Sequence, residues 1–127
     1  MTKALLMIVL ATFSTSVAAE WAVVKVNEAI GAALYMDTSQ VAREGDTIKA
    51  WTLVDYLKQP WMGQYRSVKT LDEFQCKGQL TRTLEWLTFS GAMGSGERLG
   101  GPLKDPEWKN VEPGTLQGEK WKILCGK

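Results

Sequence analysis

Residues 47–56, TIKAWTLVDY, decide the fold. In an extended chain Ile48, Ala50, Thr52, Val54 and Tyr56 share one face, while Trp51, Leu53 and Leu57 share the other. Apolar side chains on both faces predict a central strand covered on both sides. Upstream, Trp21 to Val26 and Ala32 to Met36 read as two strands around a turn at 27–31. Asp37-Thr38-Ser39 then turns the chain, because Asp and Ser side chains bond nearby backbone amides. Glu44-Gly45-Asp46 is a tight connection into the central strand.

Downstream, Lys58 to Gln64 is a loop marked by Pro60 and Gly63. Tyr65 to Cys76 and Gln79 to Ser90 read as two more strands, with a hairpin turn at Lys77-Gly78. The glycine-rich run 91–101 predicts a flexible loop or wide hairpin end, with a short strand around Arg98-Leu99. Pro106, Pro113 and Gly114 break the chain around Trp108 and Val111. In Thr115 to Leu124, Leu116, Lys120, Ile123 and Leu124 recur at helical spacing, with Thr115 as N-cap and Gly126 as stop. Gly118 costs such a helix about 1 kcal/mol relative to Ala, which keeps a final strand open as the alternative.

Residues 1–19, MTKALLMIVLATFSTSVAA, have a different character. Lys3 supplies a positive start, Ala4 to Phe13 an apolar run, and Val17-Ala18-Ala19 the small residues of a cleavage site. This is the layout of a secretory signal peptide. A transmembrane helix needs about 18–20 apolar residues, and Thr12, Ser14, Thr15 and Ser16 interrupt this stretch; an N-terminal core helix is the other reading. Residues 20–127 suffice for one domain with its own core and are too few for two. Lys3 is the one charged residue of the leader, so residues 20–127 balance 14 basic against 14 acidic side chains. That balance leaves no basic field to hold nucleic acid or anionic lipid.

Both cysteines, Cys76 and Cys125, follow the cleavage site. In an oxidising compartment a pair reads as one disulfide; an intermolecular bridge or two free thiols are the alternatives. Their long spacing excludes metal-ligand patterns of the C-x₂-C kind.

The chain has no histidine, which removes Ser-His-Asp and Cys-His nucleophile systems and the commonest ligand of catalytic zinc. Asp37, Asp55, Asp72, Glu73 and Glu85 leave a glycosidase carboxylate pair formally open, but solvent-facing charge on a sheet accounts for them. The run from Gly94 begins like G-x-G-x-x-G and fails at Leu99; read as a phosphate loop from Gly91, it has Glu97 where Lys is required. A mobile loop is the simpler reading. No catalytic residue, metal ligand or cofactor site is expected.

Six tryptophans are the feature that could mean binding. Trp21, Trp51 and Trp86 sit in strands and read as core, and Trp121 as packed under the C-terminal segment. Trp61 lies in the polar loop Pro60-Trp61-Met62-Gly63, and an aromatic beside a methionine on a loop has the composition of a binding anchor. Trp61, Met62, Tyr65 and Trp108 are the candidate partner-binding residues.

TIKAWTLVDY, then Ser67-Val68-Lys69, Glu73-Phe74-Gln75-Cys76, SGAMGSG, Pro106-Glu107-Trp108, Val111-Glu112-Pro113-Gly114-Thr115 and a terminal Cys125 follow in order. This series resembles the bacterial surface-adhesin protein E family over roughly residues 20–125. The resemblance implies an α+β fold: one antiparallel sheet of about six strands, with a C-terminal helix packed on its concave face and tied by a Cys76–Cys125 disulfide. It also implies adhesion, since the founding member binds host extracellular-matrix and serum proteins such as vitronectin and laminin. Family adhesins are tethered through a lipidated cysteine just after the signal, where this chain has Glu20 and Trp21. The expectation is therefore an exported, non-enzymatic envelope domain without a lipid anchor, periplasmic or secreted, monomer or weak dimer. Its expected partners are extracellular-matrix or envelope proteins; a periplasmic small-ligand carrier is the alternative.

Overall fold

Among the described residues seven strands and one α-helix follow one another: β1 (Trp21–Asn27), β2 (Ala32–Asp37), β3 (Ala42–Glu44), β4 (Thr47–Tyr56), β5 (Ser67–Gln75), β6 (Leu80–Phe89), β7 (Arg98–Asn110) and α1 (Leu116–Cys125). The computed structural model describes residues 19–126; the predicted leader, Ala19 excepted, lies outside the described residues. All pairings are antiparallel, in the order β1-β2-β4-β5-β6-β7, with β3 beside the start of β4. The expected sheet is therefore present, one short strand wider.

The alternation read in 47–56 sorts the sheet into two faces. Ile48, Ala50, Thr52 and Val54 lie opposite Phe74, Asp72, Thr70 and Val68 of β5, and this face receives α1. Its core joins Met36, Ile48, Ala50 and Phe74 to Trp121 and Leu124 of the helix. The Thr115 hydroxyl accepts from the Gly118 amide at 3.1 Å, and Gly126 ends the helix in the left-handed region at φ 72°. Arg43, reaching from β3, donates to the Leu124 carbonyl at 3.1 Å. Gly118 earns its place by a close approach: a Cβ there would meet the Glu112 carbonyl oxygen at 2.6 Å. A Cys76–Cys125 disulfide joins the end of α1 to the end of β5.

The outer face is covered differently. The glycine-rich segment is the wide end of the β6–β7 hairpin, the second of the two expected forms, and it is an ordered clamp, not a flexible loop. Its 3₁₀ turn, Ala92–Gly94, lies over β4 and β5. Asp55 Oδ1 accepts from the Met93 amide at 3.1 Å, Ser67 Oγ accepts from the Gly94 amide at 2.8 Å, and the same hydroxyl donates to the Gly91 carbonyl at 2.6 Å. Gly94 sits at φ +73°, where a Cβ would strike the Lys69 side chain at 2.9 Å. Leu53 is thereby fully buried on this face, which makes β4 central on both sides. Trp21, Trp51 and Trp86, expected in the core, are only half-buried; Trp21 and Trp51 flank the Lys69 ammonium, 5.8 and 5.4 Å from it.

Three further corrections concern the tail and the acids. Residues 98–110 form one long edge strand in place of a break. Pro is tolerated there because an edge strand bonds on one side only, and four register shifts against β6 absorb Pro102 and Pro106. On α1, Leu116 and Ile123 are exposed whereas Lys120 is buried. Four of the five carboxylates read as solvent-facing are buried: Asp37, Asp55, Asp72 and Glu73. Asp37 accepts from the Glu20 amide at 3.1 Å and from the Ser39 amide and hydroxyl at 2.9 and 2.6 Å. Burial alone would raise its pKa, but these bonds and the nearby Lys69 charge outweigh it and hold the carboxyl below its ordinary value.

Thiol labelling of the denatured, unreduced protein is expected to find no free cysteine. Replacing both cysteines by serine should lower the unfolding free energy by about 4 kcal/mol on the chain-entropy model, read from denaturant midpoints. Because the folded pKa of Asp37 is depressed, its contribution is present above the ordinary aspartate pKa and lost as pH falls through the depressed one. Asp37→Asn should therefore be less stable than the parent at neutral pH, with the gap closing in strong acid.

Candidate binding face flanking the helix

Four aromatic rings run across the part of the helix face that α1 leaves uncovered. Tyr56, at the end of β4, stacks on Trp61 with ring centroids 5.4 Å apart and 28° between planes. Tyr65 leans on Tyr56 at 6.0 Å, and Trp86 of β6 meets Tyr65 edge-on at 6.4 Å. Offset and edge-to-face packing are the favourable geometries for such rings. Burial raises the pKa of both tyrosines, with the Tyr65 charge adding to the effect at Tyr56, so both hydroxyls remain neutral donors at physiological pH.

Trp61 reaches this row because the β4–β5 loop closes on itself. Its amide donates to the Tyr65 carbonyl at 2.8 Å, and the Gln64 amide donates to the Trp61 carbonyl at 2.8 Å. Met62 and Gly63 take φ 49° and 71° at the tip, the positive pair of a type I′ turn. A methionine in that region is strained, and the turn holds its side chain 78% exposed. Such strain persists where the surrounding structure enforces it and clusters at functional sites.

Two recesses open on either side of the N-terminal half of α1. The first, of about 250 Å³, lies between α1 and strands β1, β2 and β4, walled by Ile30, Leu34, Val54, Tyr56, Trp61 and Leu116. Lys25 and Glu119 face one another across it at 3.7 Å, an exposed pair that contributes little. The second, of about 320 Å³, lies between α1 and strands β5, β6 and β7. Its floor is polar. Lys120 Nζ donates to Asp72 Oδ2 at 2.9 Å, and Asp72 Oδ1 accepts from Thr83 Oγ1 at 3.1 Å and from Gln117 Nε2 at 3.3 Å. Gln117 also donates to Thr81 Oγ1 at 3.1 Å. Both charges of the ion pair are almost wholly buried.

The sequence-predicted residues separate in the fold. Trp61 lines the first recess, and Met62 and Tyr65 belong to the same closed turn beside it. Trp108 lies on the outer face, where the Arg82 guanidinium covers its ring at 4.4 Å while bonding Glu73 Oε1 at 3.0 Å. Tyr56, Trp86, Gln117 and Lys120 line the two recesses and are absent from the partner-binding residues that the sequence pointed to. For Tyr56 the signal was available, since it shares the face of Ile48 and Val54. For Lys120 the helical spacing pointed at it without revealing what charge it would meet. Among the described residues no cluster of His, Cys, Asp or Glu could hold a metal ion, and no helix is long and apolar enough to cross a membrane.

The fold is thus an open antiparallel sheet with a disulfide-tied helix over one face and apolar and aromatic side chains beside it. The family model for surface-adhesin protein E matches residues 21–126. The chain belongs to the surface-adhesin protein E family, a family of exported, cell-surface adhesin-like proteins. Among solved structures, protein E of Haemophilus influenzae in crystal form II is similar, with a TM-score of 0.64 at 13% identity over 82% of this chain and 87% of that one. Protein E from non-typeable Haemophilus influenzae gives a TM-score of 0.57 at 12% identity over 82% and 75% of the two chains. At such identities the likeness is one of fold. No curated protein sequence matches the chain.

Removing one member of a buried ion pair strands the other, at about 3–5 kcal/mol. Lys120→Met should therefore cost an amount of that order in urea unfolding. The double variant Asp72→Asn/Lys120→Met should recover most of it, because no uncompensated charge remains.

Proposed function

We propose that this chain is an exported, non-enzymatic adhesin-like module that holds a partner protein at the first recess and the turn beside it. The observation that carries the proposal is the exposed apolar lining of that recess, Ile30, Trp61 and Leu116 at 56, 41 and 46% exposed, with Met62 at 78% on the adjoining turn. None of them belongs to the core, so folding does not account for their hydrophobicity. Contiguous exposed apolar surface beside a concavity is what protein-binding sites present. A rigid tryptophan and an adaptable methionine supply the anchors such sites use.

The non-enzymatic reading is supported by the missing histidine and by the engagement of the acids. Asp37, Asp55 and Asp72 are committed to backbone amides, a hydroxyl or an ammonium within the fold, which leaves them poorly placed as general acid or base. The partner is proposed to be an extracellular-matrix or envelope protein. The leader is proposed to be cleaved after Ala19, releasing the domain to the periplasm or the medium.

Surface binding of residues 20–127 to an immobilised panel of matrix and envelope proteins tests this. Saturable binding to at least one is expected. Met62→Ser and Ile30→Ser should each weaken it about tenfold, the scale of a hot-spot anchor, while leaving the melting temperature unchanged. Binding indifferent to both substitutions would move the interface elsewhere, and no binding across the panel would end the adhesive reading.

A further inference from the structure

We infer that the second recess, beside Trp86 and over the Asp72–Lys120 pair, is a binding site for an uncharged saccharide. This inference is independent of the protein interface proposed above, which lies on the other flank of α1.

A buried ion pair is weak evidence of stability, since well-packed apolar residues of similar volume often do as well or better. Here the pair stands outside the apolar cluster of Met36, Ile48, Ala50, Phe74, Trp121 and Leu124. It lines a cavity of about 320 Å³, at the lower end of the ~300–1,000 Å³ typical of small-molecule sites. Unlike the mostly apolar pockets that take drug-like ligands, this cavity is lined by polar groups beside one aromatic wall, Trp86.

The chemistry of the lining selects the ligand. The buried interior holds one cation and one anion, Lys120 and Asp72, which neutralise each other at 2.9 Å; Lys104 and Asp105 stand exposed at the mouth. An anion or cation entering the interior would lose its hydration without meeting an unspent opposite charge. An apolar ligand would cover the remaining polar capacity without satisfying it. That capacity is mixed. Lys120 has three N–H donors, of which one engages Asp72 among the described residues. Gln117 commits its amide nitrogen to Thr81 and Asp72, and its carbonyl oxygen can accept. Thr70 lines the same space with a hydroxyl that can give and take, and the Thr83 hydroxyl, its proton already given to Asp72, can accept.

A ring bearing several hydroxyls, each both donor and acceptor, matches such a set. The apolar C–H face of the same ring matches the flat surface of Trp86.

Protein-observed NMR of residues 20–127, titrated with chitotriose, cellotriose and maltotriose, tests the assignment. At least one should shift the Trp86 indole N–H and the Gln117 side-chain amide in a saturable way, and the comparison separates N-acetylated from plain hexose chains. Gln117→Leu and Thr70→Val should each weaken that titration about tenfold, the scale of one lost buried hydrogen bond. Ile30→Ser, on the other flank, should leave it unchanged. No saturable shift with any of the three would overturn the site. Tighter binding of trigalacturonate or of free amino acids would overturn the uncharged class. A titration indifferent to both recess variants would place the saccharide elsewhere.

Discussion

The coverage of one sheet face by one short helix is the constraint on which the rest of this structure depends. At about 1.5 Å per residue, the ten residues of α1 span about 15 Å. Six strands in a row at about 4.8 Å spacing make a sheet some 24 Å wide, with the longer strands extending about 33 Å. The helix cannot cover that face, so it is pinned where its cover matters most. Trp121 and Leu124 close over Phe74, Ile48 and Ala50, and the disulfide fixes the helix end to the end of β5. Everything the helix leaves open becomes either aromatic platform or recess.

That division also explains why charge lies inside a small domain. Toward its C-terminal end α1 meets an apolar patch and buries apolar side chains. Toward its N-terminal end it faces Asp72, Thr81 and Thr83, and there it buries Lys120 and half-buries Gln117. The helix is thus apolar or polar according to what lies beneath each turn, and a single hydrophobic stripe does not describe it. The outer face follows a separate logic, with backbone amides of the glycine-rich clamp neutralising the burial of Asp55 and Ser67. Two faces, covered by a helix and by a turn, make β4 the strand with most to lose from substitution.

What was legible in the sequence follows from how each residue is determined. The alternation in 47–56 survives because both faces of β4 are covered, so both periodic signals are strong. The helix cap at Thr115 and the stop at Gly126 are local backbone chemistry, written in local sequence. β3 is three exposed residues, Ala-Arg-Glu, whose pairing depends on β4 and on the reach of Arg43 to the helix end. β7 contradicts its own glycine and proline content because an edge position forgives it. The buried state of Asp37, Asp55 and Asp72 depends on partners between two and 48 positions away, which no window along the chain can show. The candidate face was half legible for the same reason. Trp61 and Met62 announce themselves as apolar residues in a polar loop, whereas Trp86, Gln117 and Lys120 acquire a shared surface only through the sheet register.

The 13% identity with the protein E structure shows how few constraints this fold imposes. Folding requires the alternation of β4, the core around Phe74, the close approaches at Gly94 and Gly118, and a cover for one face. It asks nothing of Ile30, Met62, Leu116 or the mouth of the second recess, all of which reach solvent. Substitution at those positions changes little of the stability, since exposed positions away from caps and buried networks typically contribute within about 0.5 kcal/mol. They are therefore free to follow a partner while the scaffold stays fixed, which is the division between framework and recognition surface that an adhesin-like family needs. The same freedom makes the apolar character of this rim informative. Where folding is indifferent, the exposed Ile30, Trp61 and Leu116 around one recess are the surface the proposed partner would meet.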